Sequence, residues 1–259
     1  MADEIPIPRR FPRAADVTGK RVVITGASRG LGRLLAHAFS RAGASVALVA
    51  RTDAGLKTVT GELSGPSLAF SGDVTDADFN EYVADAVLTE WEGVDVWICN
   101  AGISPMVAGP CETDPAQWRQ VLDVNLTGSF LGARAAARVM GDGGRLIFTG
   151  SVLGERPREG LAAYAASKAG LVALAKSLAL DLAPAGITSN VVSLGWFDSP
   201  LAQAWKSNPT LSERVLGHTA QRRWGQPTDL AGAYQFLASD AAAFITGTVV
   251  NVDGGYLLV

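Results

Sequence analysis

The chain has 259 residues, a length that suits one α/β domain with a substantial core better than two domains. Hydrophobic residues make up 48%, charged residues only 18%, and glycine fills 29 positions, which excludes disorder and indicates a compact fold with many tight backbone sites. A formal charge of -3 excludes the concentrated basic surface of a nucleic-acid binder, and no apolar run approaches the roughly 18 residues that a membrane-spanning helix needs.

Residues 1 to about 18 are rich in proline and carry Arg9, Arg10 and Arg13, so they read as a flexible or surface-docked arm outside the core. Asp3 and Glu4 stand where an export signal needs basic charge, and a cytoplasmic location is expected. A single domain is expected over 19–259, its first strand opening at about Lys20. From there RVVIT, SVALVA, SLAFS, VDVWIC, GRLIFTG, ITSNVVS and TVVNVD are the strand candidates. Helical patterns over 31–42, 76–91, 115–139, 162–182 and 227–238 lie between them, with Asp114-Pro115 as a helix start. Apolar strands separated by helices predict a doubly wound parallel sheet of about seven strands, covered on both faces in a three-layer α/β/α arrangement. Cys99 and Cys111 stand alone, so neither a zinc site nor a disulfide framework is expected, and both read as buried reduced thiols.

The first strand runs straight into Thr25-Gly26-Ala27-Ser28-Arg29-Gly30-Leu31-Gly32 and then into a helix. In that setting glycines let the backbone approach a pyrophosphate at a helix N-terminus, so Gly26, Ser28, Arg29, Gly30, Leu31 and Gly32 are candidate phosphate-binding residues. The spacing TGxxxGxG resembles the short-chain dehydrogenase/reductase family, and the resemblance extends over nearly the whole chain. Asp73-Val74 matches the family's adenine-contacting pair. Cys99-Asn100-Ala101-Gly102 matches its NNAG element, with Cys in place of the first Asn. Asn125 falls at its active-site Asn. Strand and helix stabilisation is the plainer reading of Asn100 and Asn125. The resemblance implies a Rossmann-type fold and a nicotinamide dinucleotide.

NAD-preferring relatives commonly carry an Asp at the end of the second strand, where this chain has Ala50 followed by Arg51. Arg29 and Arg51 can converge on a 2′-phosphate, and charge-assisted hydrogen bonds worth about 1.5 to 3 kcal/mol each then favour NADPH over NADH. The plainer alternative has both arginines solvating a loop.

Tyr164-Ala165-Ala166-Ser167-Lys168 opens a long helix, which puts Lys168 one turn beyond Tyr164 on the same face. A free phenol has a pKa of about 10. Lys168 and an oxidised nicotinamide are both expected to lower it toward working pH. Ser151 ends the strand GRLIFTG, at the strand edge where parallel sheets bind ligands. The resemblance implies that Ser151 orients substrate, Tyr164 exchanges the proton, Lys168 tunes it and holds the nicotinamide ribose, and Asn125 holds a water in the proton relay. It also separates this chain from enoyl reductases of the superfamily, whose Tyr and Lys lie seven apart rather than four.

Beyond strand ITSNVVS the family usually has Pro-Gly, whereas this chain reads Leu194-Gly195, a change expected to loosen the turn that places the nicotinamide. Gly195, Phe197 and Ser199 are assigned to the cofactor, and the stretch 196–218 to a substrate lid. Trp196, Leu153, Ile103 and Met106 are candidate substrate contacts, with Phe197 and Trp205 as further apolar walls or as core. His218 reads as hydrogen-bonded surface. Glu155-Arg156-Pro157-Arg158-Glu159 reads either as a binding site for a polar or acidic substrate or, more plainly, as solvated loop charges.

The expected activity is NADPH-dependent interconversion of a ketone and a secondary alcohol on a small free molecule. Acyl-carrier-protein reductases and gluconate and polyol dehydrogenases are the relatives it resembles. Reduction of 3-oxoacyl carrier protein is the alternative, weakened because the positions matching basic carrier contacts hold Asp142 and Ala185. A non-catalytic nucleotide sensor is a third reading. The resemblance also implies a homotetramer that pairs the helices at 115–139 and 162–182, with Ala133, Ala136 and Ala137 permitting close approach.

Overall fold

The structure, a computed structural model, describes residues 13–104 and 107–259. Arg9, Arg10, Met106 and most of the proposed arm lie outside the described residues. Among those described, seven strands form one sheet: β1 (Arg21–Thr25), β2 (Ser45–Ala50), β3 (Ser67–Ser71), β4 (Val96–Cys99), β5 (Arg145–Ser151), β6 (Thr188–Leu194) and β7 (Val249–Val252). Their order is β3-β2-β1-β4-β5-β6-β7 and every pairing is parallel. All seven strand candidates are therefore realised, in the doubly wound arrangement expected.

The helices are α1 (Gly30–Arg41), α2 (Asp53–Glu62), α3 (Ala77–Trp91), α4 (Pro115–Leu122), α5 (Gly128–Val139), α6 (Ala162–Leu182), α7 (Gln203–Ser207), α8 (Pro209–Gly217) and α9 (Pro227–Ala238). Starts are set by local chemistry. Asp76 accepts from the N–H groups of Asp78 and Phe79 at α3, and Asp114 accepts from Ala116 N–H at α4 with Pro115 in its first turn. Strand residues alternate between two cores. On β1, Val22 and Ile24 face a layer containing Leu35, Phe39 and Tyr234, whereas Val23 faces Trp97, Phe148 and Leu171 on the opposite side.

Several expectations need correction. The 115–139 pattern is not one regular helix: a π-helical segment, Asp123–Thr127, separates α4 from α5. The arm ends earlier than position 18, because Val17 is 1% exposed within the β1-side core. Ala133 and Ala136 are buried against their own sheet, so that face of α5 is already filled within one chain. Cys99 is buried as expected, but Cys111 is exposed, in the turn ahead of α4.

Strand order reverses between β1 and β4: the chain leaves β1 toward β2 and β3 on one side, then returns to β4 on the other. At such a reversal the loops beyond the strand C-termini diverge and leave a crevice, which fixes where a ligand can enter this sheet.

Candidate active site

The crevice is a cleft of about 770 Å³. It brings together every cofactor residue assigned from sequence: Gly26, Ser28, Arg29, Gly30, Leu31, Gly32, Arg51, Asp73, Val74, Asn100, Ala101, Gly102, Tyr164, Lys168, Gly195, Phe197 and Ser199. Ser151, Leu153 and Trp196 line it as well.

At one end, β1 delivers the chain into α1 through a turn in which Gly26 and Gly30 have φ of 69° and 56°. The backbone there is packed too closely for side chains. A Cβ on Gly32 would stand 2.2 Å from the Gly26 carbonyl oxygen, and one on Gly26 would stand 2.9 Å from Ala101 Cα. Helix α1 opens at Arg29 with no side-chain cap and no acidic residue in its first turn, which leaves its N–H groups and positive dipole end for an anion. Cradle and helix end therefore fit a dinucleotide pyrophosphate. Arg29 and Arg51 are exposed beside the same end of the cleft, and neither forms an ion pair among the described residues.

Hydrogen bonds brace the floor. Thr25 Oγ1 accepts from the N–H groups of Asn100 and Ala101, both at 3.0 Å. Asn100 Nδ2 donates to the Thr25 carbonyl at 2.9 Å, and Asn100 Oδ1 accepts from Thr149 Oγ1 at 3.3 Å. Asn100 thus ties β1, β4 and β5 together where the strand order reverses while also lining the cleft. Asp73 folds its carboxylate onto Thr75, accepting from N–H and Oγ1 at 2.9 Å each.

Lys168 is buried one helical turn beyond Tyr164, its ammonium donating to the Thr149 carbonyl at 2.8 Å and lying 5.6 Å from the Tyr164 ring centroid. Burial lowers the Lys168 pKa to about 8. Burial also raises the Tyr164 phenol above its ordinary value, opposed by a hydrogen bond with Ser151. Desolvation therefore outweighs the lowering expected for the phenol in this fold. Thr149 escaped the sequence reading. The available signal was its place two residues before Ser151 on β5, hence on the same face of the strand.

Asn125 is fully buried directly behind Gly102 and Ile103 of the cleft lining. Its Oδ1 accepts from Ile103 N–H at 2.8 Å, and its Nδ2 donates to the Ile103 carbonyl and to Ser167 Oγ at 3.0 Å each. The Asn125 carbonyl accepts from Ser129 Oγ at 2.8 Å. The side chain anchors the Ile103 segment, and the π-helical turn presents it at that angle.

On the remaining side, Leu194 lies in register with Ser151 and Val252, and Gly195 N–H donates to the Val252 carbonyl at 2.9 Å. Trp196 packs on Trp205 and Trp224 with centroids 5.0 and 5.9 Å apart, and Trp205 joins it at the cleft. Phe197 is 5% exposed and packs mainly into the core. His218 Nδ1 bonds the Arg214 carbonyl oxygen at 2.8 Å, away from the cleft. Glu155 and Glu159 are solvated, but Arg156 and Arg158 are neither loop surface nor cleft lining. Arg158 Nε donates to Tyr256 Oη at 2.7 Å, and Arg156 donates to the carbonyl oxygens of Tyr256 and Val259. The C-terminal aromatic that captures them is distant in sequence, so no local pattern announced it.

Known proteins agree with this geometry. A family model described as enoyl-(acyl carrier protein) reductase matches residues 26–257. A 3β-hydroxysteroid dehydrogenase of Eggerthella lenta is 38% identical over 256 residues, covering 94% of this chain and 95% of its own length. The 3-oxoacyl-[acyl-carrier-protein] reductase of Escherichia coli is 35% identical over 243 residues, with 93% and 98% covered. A provisionally assigned NAD(P)-dependent gluconate 5-dehydrogenase of Beutenbergia cavernae, whose crystal structure holds NADP at low occupancy, superimposes with a TM-score of 0.88 at 33% identity, covering 95% of this chain and all of that one. Among the described residues no helix is long and apolar enough to cross a membrane. The chain belongs to the short-chain dehydrogenase/reductase family and is an oxidoreductase of the kind that works with a nicotinamide dinucleotide.

Proposed function

We propose that the chain interconverts a ketone and a secondary alcohol on a small free substrate, with NADP(H) as cofactor and Tyr164 as the acid and base. The observation that carries this reading is the meeting of Ser151, Tyr164 and Lys168 in the one cleft that the glycine turn also enters. A bound dinucleotide supplies or accepts the hydride. Ser151 Oγ polarises the substrate oxygen, and Tyr164 Oη gives it the proton during reduction. A phenol whose pKa is raised stays protonated at neutral pH, which suits the donor role. Lys168, fixed on Thr149, would hold the nicotinamide ribose of a bound dinucleotide and stabilise the phenolate left after transfer. Asn125 acts as a positioning residue by fixing Ile103.

NADPH preference is supported by the exposed Arg29 and Arg51 beside the phosphate turn, and by the NADP held in the B. cavernae structure. We further infer a single domain that takes in Val17 ahead of 19–259, with a surface arm before that, a closing segment over 196–218, a cytoplasmic location and a homotetramer. Exposed Phe130 on α5 and Leu180 on α6 give such an assembly apolar contact. Tyr164→Phe is expected to cut turnover by roughly 10² to 10⁴-fold while NADPH still binds. Retained turnover would remove Tyr164 from the reaction, and an output that survives the substitution would favour a nucleotide sensor.

The 35% identity to the E. coli carrier-protein reductase supports a second reading, reduction of 3-oxoacyl carrier protein. Asp142 and Ala185, both exposed in turns entering β5 and β6, offer an acidic carrier no positive charge. A higher kcat/KM on carrier-bound than on free 3-oxoesters would establish that reading.

A further inference from the structure

We infer that the substrate is an uncharged, ring-bearing apolar ketone or alcohol, and that Arg158 sets this specificity by clamping an aromatic wall rather than by binding substrate. The inference rests on the hydride-transfer reading above and specifies what that site accepts.

The charged side chains among the described residues lining the cleft are Arg29, Arg51, Asp73 and Lys168. The first three belong to the phosphate and adenosine end, and Lys168 is committed to the Thr149 carbonyl. The cleft residues that pack with Tyr164 in one apolar cluster are instead Leu153, Leu161, Trp196 and Trp205. A carboxylate or phosphate entering there would lose its hydration and find no countercharge, and uncompensated desolvation of an anion outweighs what apolar walls return. Val107 and Leu201 are 60% and 53% exposed at this same cleft, so apolar surface stands ready for an occupant to cover.

Arg158 explains why a basic loop next to the site does not make it an anion site. Its guanidinium lies 5.7 Å from the Trp196 ring, 6.0 Å from Trp205 and 5.6 Å from Tyr256, and Arg158 is not itself among the residues lining the cleft. Its Nε donates to Tyr256 Oη. A cation held against several aromatic faces fixes their tilt, and the 52° angle between Trp196 and Trp205 makes a bent, rigid surface suited to the face of a fused ring. Leu161 N–H bonds the Arg158 carbonyl, so the same residue also sets the approach of Leu161 to Tyr164.

The test compares kcat/KM with NADPH for ethyl 4-oxocyclohexanecarboxylate and for the free 4-oxocyclohexanecarboxylate, which differ in charge, and for 1-decalone, cyclohexanone and 5-ketogluconate. The ester is expected to exceed the free acid by at least about tenfold, and decalone to exceed both cyclohexanone and ketogluconate. A free acid or ketogluconate turned over as well as the neutral ketones overturns the inference and leaves the reaction intact. Turnover of none of them overturns the reaction and this inference together. Arg158→Met is expected to raise KM for decalone severalfold with kcat nearly unchanged, and Arg158→Lys to restore part of it. If Arg158→Met instead abolishes only the activity on the free acids, the guanidinium is a substrate ligand and the inference fails.

Discussion

Lys168→Met isolates the cost of holding an ammonium inside this fold. Burial moves the Lys168 pKa from 10.5 to about 8, so between those values the unfolded chain binds a proton that the folded chain has released. Stability must therefore rise with pH across that window, and the burden is complete below pH 8, where both states are protonated. A displacement of this size corresponds to about 3 kcal/mol at pH 7 and leaves under about 1 kcal/mol at pH 10. The unfolding free energy of Lys168→Met relative to the native chain is accordingly expected to fall by about 2 to 3 kcal/mol between pH 7 and pH 10. The raised phenol of Tyr164 acts oppositely, its contribution being lost as the unfolded phenol ionises above about pH 10, but it is common to both chains and cancels. Urea unfolding of the two proteins at pH 7, 8.5 and 10 measures the difference. A difference that stays constant over that range would show that Lys168 is well solvated, and would refute the assignment of its depressed pKa to burial.

Gly32→Ala sets a methyl 2.2 Å from the Gly26 carbonyl oxygen, and the forced shift is expected to destabilise by about 1 to 3 kcal/mol and to weaken dinucleotide binding; calorimetric unfolding with an NADPH titration reads both. Arg29→Ala and Arg51→Ala should each lower the NADPH over NADH ratio of kcat/KM by only about tenfold, because exposed guanidiniums are screened by solvent; an unchanged ratio in both would end the case for a 2′-phosphate site. Asn125→Ala strips the Ile103 amide and carbonyl of their partners, an expected loss of about 1 to 3 kcal/mol seen as a lower Tm, and a Tm equal to that of the native chain would contradict the anchoring role.

Short-range pattern was enough for the sheet, the phosphate turn and the Tyr-Lys pair, because each is written in consecutive residues with a fixed period. The strands announce themselves by two-sided apolar runs, the turn by glycines whose missing side chains are a local necessity, and the pair by helical spacing. The break in the 115–139 helix was not legible in the same way. Within it Asn125 meets Ile103 across a loop, and a hydrogen bond of that kind depends on where the chain returns in space.

Charge near the site shows the same division. The residues from Glu155 to Glu159 read as a polar strip beside the substrate, yet Tyr256 and Val259, some hundred positions further on, hold Arg156 and Arg158 apart from the cleft lining. Likewise desolvation by the surrounding packing leads the causes that move the Tyr164 phenol, and Thr149 from the adjoining strand holds the Lys168 ammonium. Sequence by itself determined which groups the chain brings to the chemistry, since residue type and period are local properties. Which of those groups face the cleft, and in what protonation state, only tertiary packing decided, because solvation and hydrogen-bond partners arise from segments that meet after the sheet has formed.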